Sequence, residues 1–279
     1  MDGPTEPLGR PPSAASRSAA SRLAPDSALA AEPVQRWRLT FAREPVDPER
    51  VGRAAVEAWQ ASLLGSSLAV ARVGPGPDAR ARFALGAPLP ASCAGRAELA
   101  DIWLLERAPA WRVREALADR LPSAHRWVSA EDVWLGAPSL AAQVVAADWT
   151  VTLAAPAPDP ARLEAAARAL LAAPTLPRRR MKGGEERPYD LRPLLADVAV
   201  LASAAGGLQL RIRTRFDAAL GAGRPEEVVA ALAEAAGAAG GLEIDAIVRE
   251  RLTLAEPAGS EPGGVERARA NMPPVRPRR

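Results

Sequence analysis

Trp37-Arg38-Leu39-Thr40-Phe41 and Trp149-Thr150-Val151-Thr152-Leu153 carry one pattern, W-x-[L/V]-T-[L/F]. In both copies Asp-Pro follows ten residues after the tryptophan, at Asp47-Pro48 and at Asp159-Pro160. Apolar and polar side chains alternate within each pentad, which predicts a strand with one buried face. Asp before Pro predicts a helix start, with the carboxylate as N-cap and proline in the first helical position. Apolar residues then recur at helical spacing: Val51, Ala55, Ala58, Trp59 and Leu63 in one copy, Leu163, Ala167, Leu170 and Leu171 in the other.

The correspondence continues downstream. Ile102 to Leu105 reads as a strand, Val113, Leu117 and Leu121 mark a helix, and Trp127 to Leu135 reads as a strand. In the second copy Leu208 to Arg215 reads as a strand, Pro225-Glu226-Glu227 opens a helix, and Leu242 to Leu254 reads as a long strand. This order predicts an α+β protein of two duplicated ferredoxin-like units, each an antiparallel sheet with helices on one face. The pattern leaves open whether the two sheets join edge to edge or pack separately. The expected boundaries are a disordered tail over residues 1–34, a first repeat over 35–140, a second over 141–255, and a disordered basic tail over 256–279. Both tails are rich in Pro, Ala, Ser and Gly and show no periodicity.

Composition narrows the chemistry. No apolar run approaches the roughly 18 residues of a membrane helix, and the N-terminus lacks the apolar core of a signal peptide. The chain has a single cysteine, Cys93, and a single histidine, His125. An internal disulfide is therefore impossible, a reducing cytoplasmic setting is expected, and neither a zinc site nor an iron–sulfur cluster has enough ligands. Cys93 has no matched base and reads as an inert thiol. His125 follows a helix end and reads as a capping or surface residue. Gly74-Pro75-Gly76-Pro77 reads as a turn, because proline removes the N–H donors a phosphate cradle uses. Asp101 and Asp190 are conceivable bases, but their sequence surroundings mark neither. No cofactor is expected.

Cations concentrate between residues 176 and 195, around Gly183-Gly184. In the strand 208–215, Gln209, Arg211, Arg213 and Arg215 alternate with Leu208, Leu210 and Ile212, so the arginines form a stripe away from the core. Arg36 and Arg38 repeat this in the first strand. The expected anion- or RNA-binding surface comprises Arg178, Arg180, Lys182, Arg192, Arg211 and Arg213, guanidinium being suited to phosphate by its planar fork. Glu243 and Asp245 offer a competing outcome, in which cross-strand ion pairs occupy these arginines. Aromatic platforms for bases are scarce, since Tyr189 is the only tyrosine and the tryptophans fit the core pattern.

Several blocks resemble the radical-SAM-linked proteins of unknown function: Arg36 to Phe41, Phe83 to Pro90, Glu98 to Ile102, Pro188-Tyr189-Asp190-Leu191-Arg192-Pro193-Leu194-Leu195, Leu210 to Arg215, and Gly223-Arg224-Pro225-Glu226-Glu227-Val228. The resemblance implies a radical SAM protein as partner. The first loop departs from the pattern: Glu44-Pro45-Val46-Asp47-Pro48 lacks the histidine found there in that family, which moves the expected site to the second half. Three readings follow. The first is a non-catalytic partner or substrate-presenting subunit of a radical SAM enzyme, with RNA as its anionic ligand. The second is an RNA-modifying enzyme with a pseudouridine-synthase-like layout. The third is a structural interaction protein. None involves a membrane.

Overall fold

Both tryptophan pentads lie in central strands of one sheet. The computed structural model describes residues 31–156, 159–182, 184–202, 207–238 and 240–255; the tail expectations for 1–30 and 256–279 lie outside them. The first half contains β1 (Gln35–Arg43), α1 (Arg53–Leu64), the short strands β2 (Arg72–Val73), β3 (Arg80–Ala81) and β4 (Phe83–Leu85), β5 (Ala94–Leu104), α2 (Ala110–Leu117) and β6 (His125–Val133). A one-turn helix α3 (Leu140–Gln143) leads into β7 (Val144–Leu153), α4 (Pro160–Ala172), β8 (Pro177–Lys182) and β9 (Glu185–Asp190). The chain continues with β10 (Leu195–Ala202), β11 (Leu208–Asp217), β12 (Gly221–Ala222), α5 (Pro225–Ala235) and β13 (Ile244–Leu254).

The main sheet runs β10-β11-β7-β13-β5-β1-β6, with β4 also on β5 and β12 on β11. Each half thus has the ferredoxin-like layout, with neighbours antiparallel: β6-β1-β5-β4 in the first and β13-β7-β11-β10 in the second. The halves share one sheet because β13 pairs parallel with β5, at Val248↔Ala94 and Arg249↔Gly95. The strand β4 ends at Leu85 and leaves that end of β5 open, since Pro88 and Pro90 cannot extend a ladder.

Helices cover one face of each half. Trp37, Leu39 and Phe41 of β1 pack with Trp59, Leu63, Val113 and Leu117. Trp149, Val151 and Leu153 of β7 pack with Leu163, Leu170, Val228 and Leu232. The two Asp-Pro starts differ. The Asp159 side chain accepts from Ala161 N at 3.0 Å and caps α4, as its sequence predicts. Asp47 makes no side-chain cap, and Pro48–Arg50 is only a 3-10 turn. Gly52, at φ +62°, breaks the path, so α1 starts at Arg53.

The seam is held by a buried ion pair. Arg249, 1% exposed, binds both carboxylate oxygens of Glu98 and donates to Pro88 O and Ala87 O at 3.0 Å each. The guanidinium lies 5.3 Å from the Trp149 ring centre. Gly95 makes room for Glu98, for a Cβ there would stand 2.5 Å from Glu98 Oε1. Arg43 holds the same loop through Leu89 O at 3.1 Å and Cys93 O at 2.8 Å. Removing one partner of a buried pair strands the other charge, so Glu98→Gln is expected to cost about 3 kcal/mol in urea denaturation. Arg96→Ala, which breaks the exposed Arg96–Glu250 pair, is expected to cost under about 1 kcal/mol. Equal costs would show that the seam does not depend on this pair.

Candidate functional site

The outer face of the first half is covered over β1 and β5. Arg36 and Arg38 are buried, and both grip Asp101, which is fully buried: Arg36 Nε at 2.9 Å and Arg38 Nε at 2.8 Å. The segment 134–143 lies over them. Arg36 donates to Ala137 O at 2.7 Å and to Pro138 O at 2.9 Å, and Arg38 reaches Gln143 Oε1 at 3.4 Å. Two of the arginines expected to face solvent are thus consumed inside the molecule.

The outer face of the second half is open. Cross-strand register lines up Asp197, Arg213, Asp148 and Arg251 across β10, β11, β7 and β13, with alternating charge. Asp148 accepts from Arg251 Nε at 2.6 Å and from Arg213 Nη1 at 3.3 Å. Arg213 also reaches Thr253 Oγ1 at 3.2 Å. Asp148, Asp197, Arg213 and Arg251, with Arg211, Thr150 and Glu250, line a hollow of about 420 Å³. The next rows are neutral apart from one cation: Ala199, Arg211, Thr150 and Val248, then Leu201, Gln209, Thr152 and Ala246. All of these are half-buried or exposed. Arg211 is the loosest cation of the face, its side chain 61% exposed and 3.9 Å from Asp197 Oδ2.

The six expected site residues do not form one surface. Arg178 and Arg180 project from β8 toward α5, on the helix side. Arg178 pairs with Glu234 at 3.1 Å. Arg180 is bidentate to Glu227, at 3.0 and 2.6 Å, donates to Ala222 O at 3.0 Å and stacks on Tyr189. The hydrogen bond to Glu227 pushes the Arg180 pKa up. Burial, then Glu227, pushes the Tyr189 hydroxyl up to about 12. Arg192 closes the end of α4, donating to Leu171 O at 2.7 Å, Ala173 O at 3.1 Å and Leu195 O at 2.9 Å. Lys182 ends β8 opposite Glu185, and its side chain lies outside the described residues. Only Arg211 and Arg213 share the outer face. The acids that meet them are Asp148 and Asp197 rather than the expected Glu243 and Asp245, because β7 separates β13 from β11.

The recurring motifs prove to be structural joints. Asp190 accepts from Leu176 N at 2.7 Å and from Arg192 N at 2.9 Å, and Leu191 and Leu194 are buried. Gly223 admits the Leu194 carbonyl, 2.7 Å from where a Cβ would stand, and Pro225 opens α5. Asp101 and Asp190 are therefore committed. Cys93 is fully buried, and burial followed by the Glu226 carboxylate pushes its thiol up to about 11. His125 stacks 5.1 Å from Phe41 with Nδ1 3.0 Å from Ser123 O, and burial lowers its pKa. Among the described residues no group of His, Cys, Asp and Glu side chains is arranged to hold a metal ion.

The chain belongs to the family described as "Uncharacterized protein conserved in bacteria (DUF2344)", whose model matches residues 76–228. Comparison with curated proteins finds no match. The chain is similar to a solved structure titled "Crystal Structure of a Cbf5-Nop10-Gar1 Complex", at 12% identity and a TM-score of 0.38. The match covers 77% of this chain and 49% of that one, so this chain spans about half the length of the structure it matches.

Two measurements check these environments. Native Cys93 is expected to react with an aromatic disulfide at least about 100-fold more slowly than the urea-unfolded chain; a fast native reaction contradicts its burial. A histidine held neutral in the fold leaves the unfolded chain to bind the proton first, so its contribution is intact above about pH 6.5 and lost below it. His125→Gln is expected to flatten the fall in urea stability from about pH 7.5 to about pH 5.5. An unchanged slope contradicts the assignment.

Proposed function

We propose that this protein is a non-catalytic partner subunit that holds another protein against the outer face of its second half. The observation that carries this is the composition of that face. An alternating row of charge, matched within itself, borders rows of neutral side chains around one loosely held cation. A protein surface with its own mixed charges fits such a face, and charge pattern then sets register and choice of partner. A polyphosphate ligand instead requires several uncommitted guanidinium groups. The side chains with catalytic potential are used elsewhere: Asp101 and Asp190 in bonds, Cys93 in the core, and His125 half-buried against Phe41.

The sequence resemblance supplies the partner's identity in this proposal, a radical SAM protein, whose substrate the subunit helps to present in the cytoplasm. The shared strand order of the halves supports their origin from one duplicated unit.

The test is a titration of the purified protein with a radical SAM protein from the same organism, the partner that the resemblance implies. Arg211→Glu is expected to weaken the complex about tenfold or more, whereas Arg168→Glu on the outside of α4 leaves it unchanged. Absence of a complex, or equal loss from both variants, rejects the reading.

A further inference from the structure

We infer that the strand β10 pairs with β10 of a second copy of this chain, about a two-fold axis at Ala199. The two ends of the sheet are built differently. At one end β6 carries Arg126, Glu131 and Asp132, charges that keep an edge from pairing; both edge strands have a register shift, opposite Thr40 and Phe41 in β6 and between Leu195 and Asp197 in β10, so the charges make the difference. At the other end β10 reads Leu195-Ala-Asp-Val-Ala-Val-Leu-Ala202, with one charge and no proline or lysine. Among the described residues no strand pairs with its outer edge. An apolar, β-branched edge left open in this way is a template for another strand.

The occupant follows from the sequence of the strand itself. Asp197, Ala199 and Leu201 lie on the outer face, opposite Arg213, Arg211 and Gln209 of β11. Val198 and Val200 lie on the helix face, opposite Ile212 and Leu210. A two-fold axis at Ala199 keeps every side chain on its own face. It sets Val198 against Val200 of the second copy, twice, and Ala199 against Ala199. Aliphatic cross-strand pairs of this kind stabilise a sheet, and like charges directly opposed destabilise it. In this register Asp197 meets Leu201 of the second copy, so no like charges are opposed. Because the axis is perpendicular to the sheet, the two outer platforms come to lie on the same side. The pair then offers two docking faces in one plane. The inference does not depend on what those faces bind.

Sedimentation equilibrium of the purified chain tests it. The wild-type protein is expected to be a dimer at about 50 µM. Leu201→Glu, at a position already 40% exposed, sets Glu against Asp197 of the second copy and is expected to weaken the dimer at least about tenfold. Ala199→Glu sets like charges against each other across the axis, while Arg211 on β11 accepts the new carboxylate in each chain. It is expected to weaken the dimer by at least as much with an unchanged melting temperature. A wild-type monomer at about 50 µM overturns the inference, as does a dimer indifferent to both variants. Should Ala199→Glu lose its far-UV circular dichroism signal, Leu201→Glu decides alone.

Discussion

The Arg249–Glu98 ion pair is the constraint on which the shared sheet rests. The halves meet through a parallel ladder only two residue pairs long, too short to fix their relation by backbone hydrogen bonds alone. Arg249 spans that junction. It binds a carboxylate on β5, two carbonyls of the loop after β4, and the ring of Trp149 from the second half. Burying such a charge is tolerable only because every side of it meets a partner. Gly95 is part of the same device, since any side chain there would occupy the space of Glu98.

The same economy of charge governs the rest of the molecule. Asp101 draws Arg36 and Arg38 inward and lets the segment 134–143 cover that part of the outer face of the first half. Glu227 and Glu234 draw Arg180 and Arg178 onto α5 and pin the β8–β9 hairpin. Asp148 divides itself between Arg213 and Arg251. A net charge of +3 thus gives little guide to these surfaces, because the arginines the sequence marked out there are bound within the molecule. What remains open is one face whose charges alternate rather than accumulate, and one apolar edge.

Much of this architecture was legible in the sequence. The tryptophan pentads, the strands near 208 and 244, and the helix opened by Pro225 lie where alternation and helical spacing place them, and the α+β class follows. Alternation also told correctly that Arg211 and Arg213 face away from the core. It could not tell what stands across from an arginine. Arg36 and Asp101 are 65 residues apart in sequence, and only the register of β1 on β5 brings them together. The hairpin β8–β9 was not legible, because its residues stand out as cations around Gly183-Gly184 rather than by alternation, and Arg180 ties it to α5. The Asp-Leu-Arg-Pro-Leu and Gly-Arg-Pro motifs looked like a site. Their residues are instead the joints that seat α4, α5 and the intervening strands.

The central claim is that Arg211, Arg213 and Arg251 meet acids of the same molecule, so that the open face is matched in charge. Titration of the protein with a labelled single-stranded RNA of about 20 nucleotides, repeated from about 50 to about 200 mM salt, tests it most directly. The account predicts weak binding with a log–log salt slope between 0 and about −1. A slope near −4, the value for six phosphates neutralised on a single strand, would contradict it.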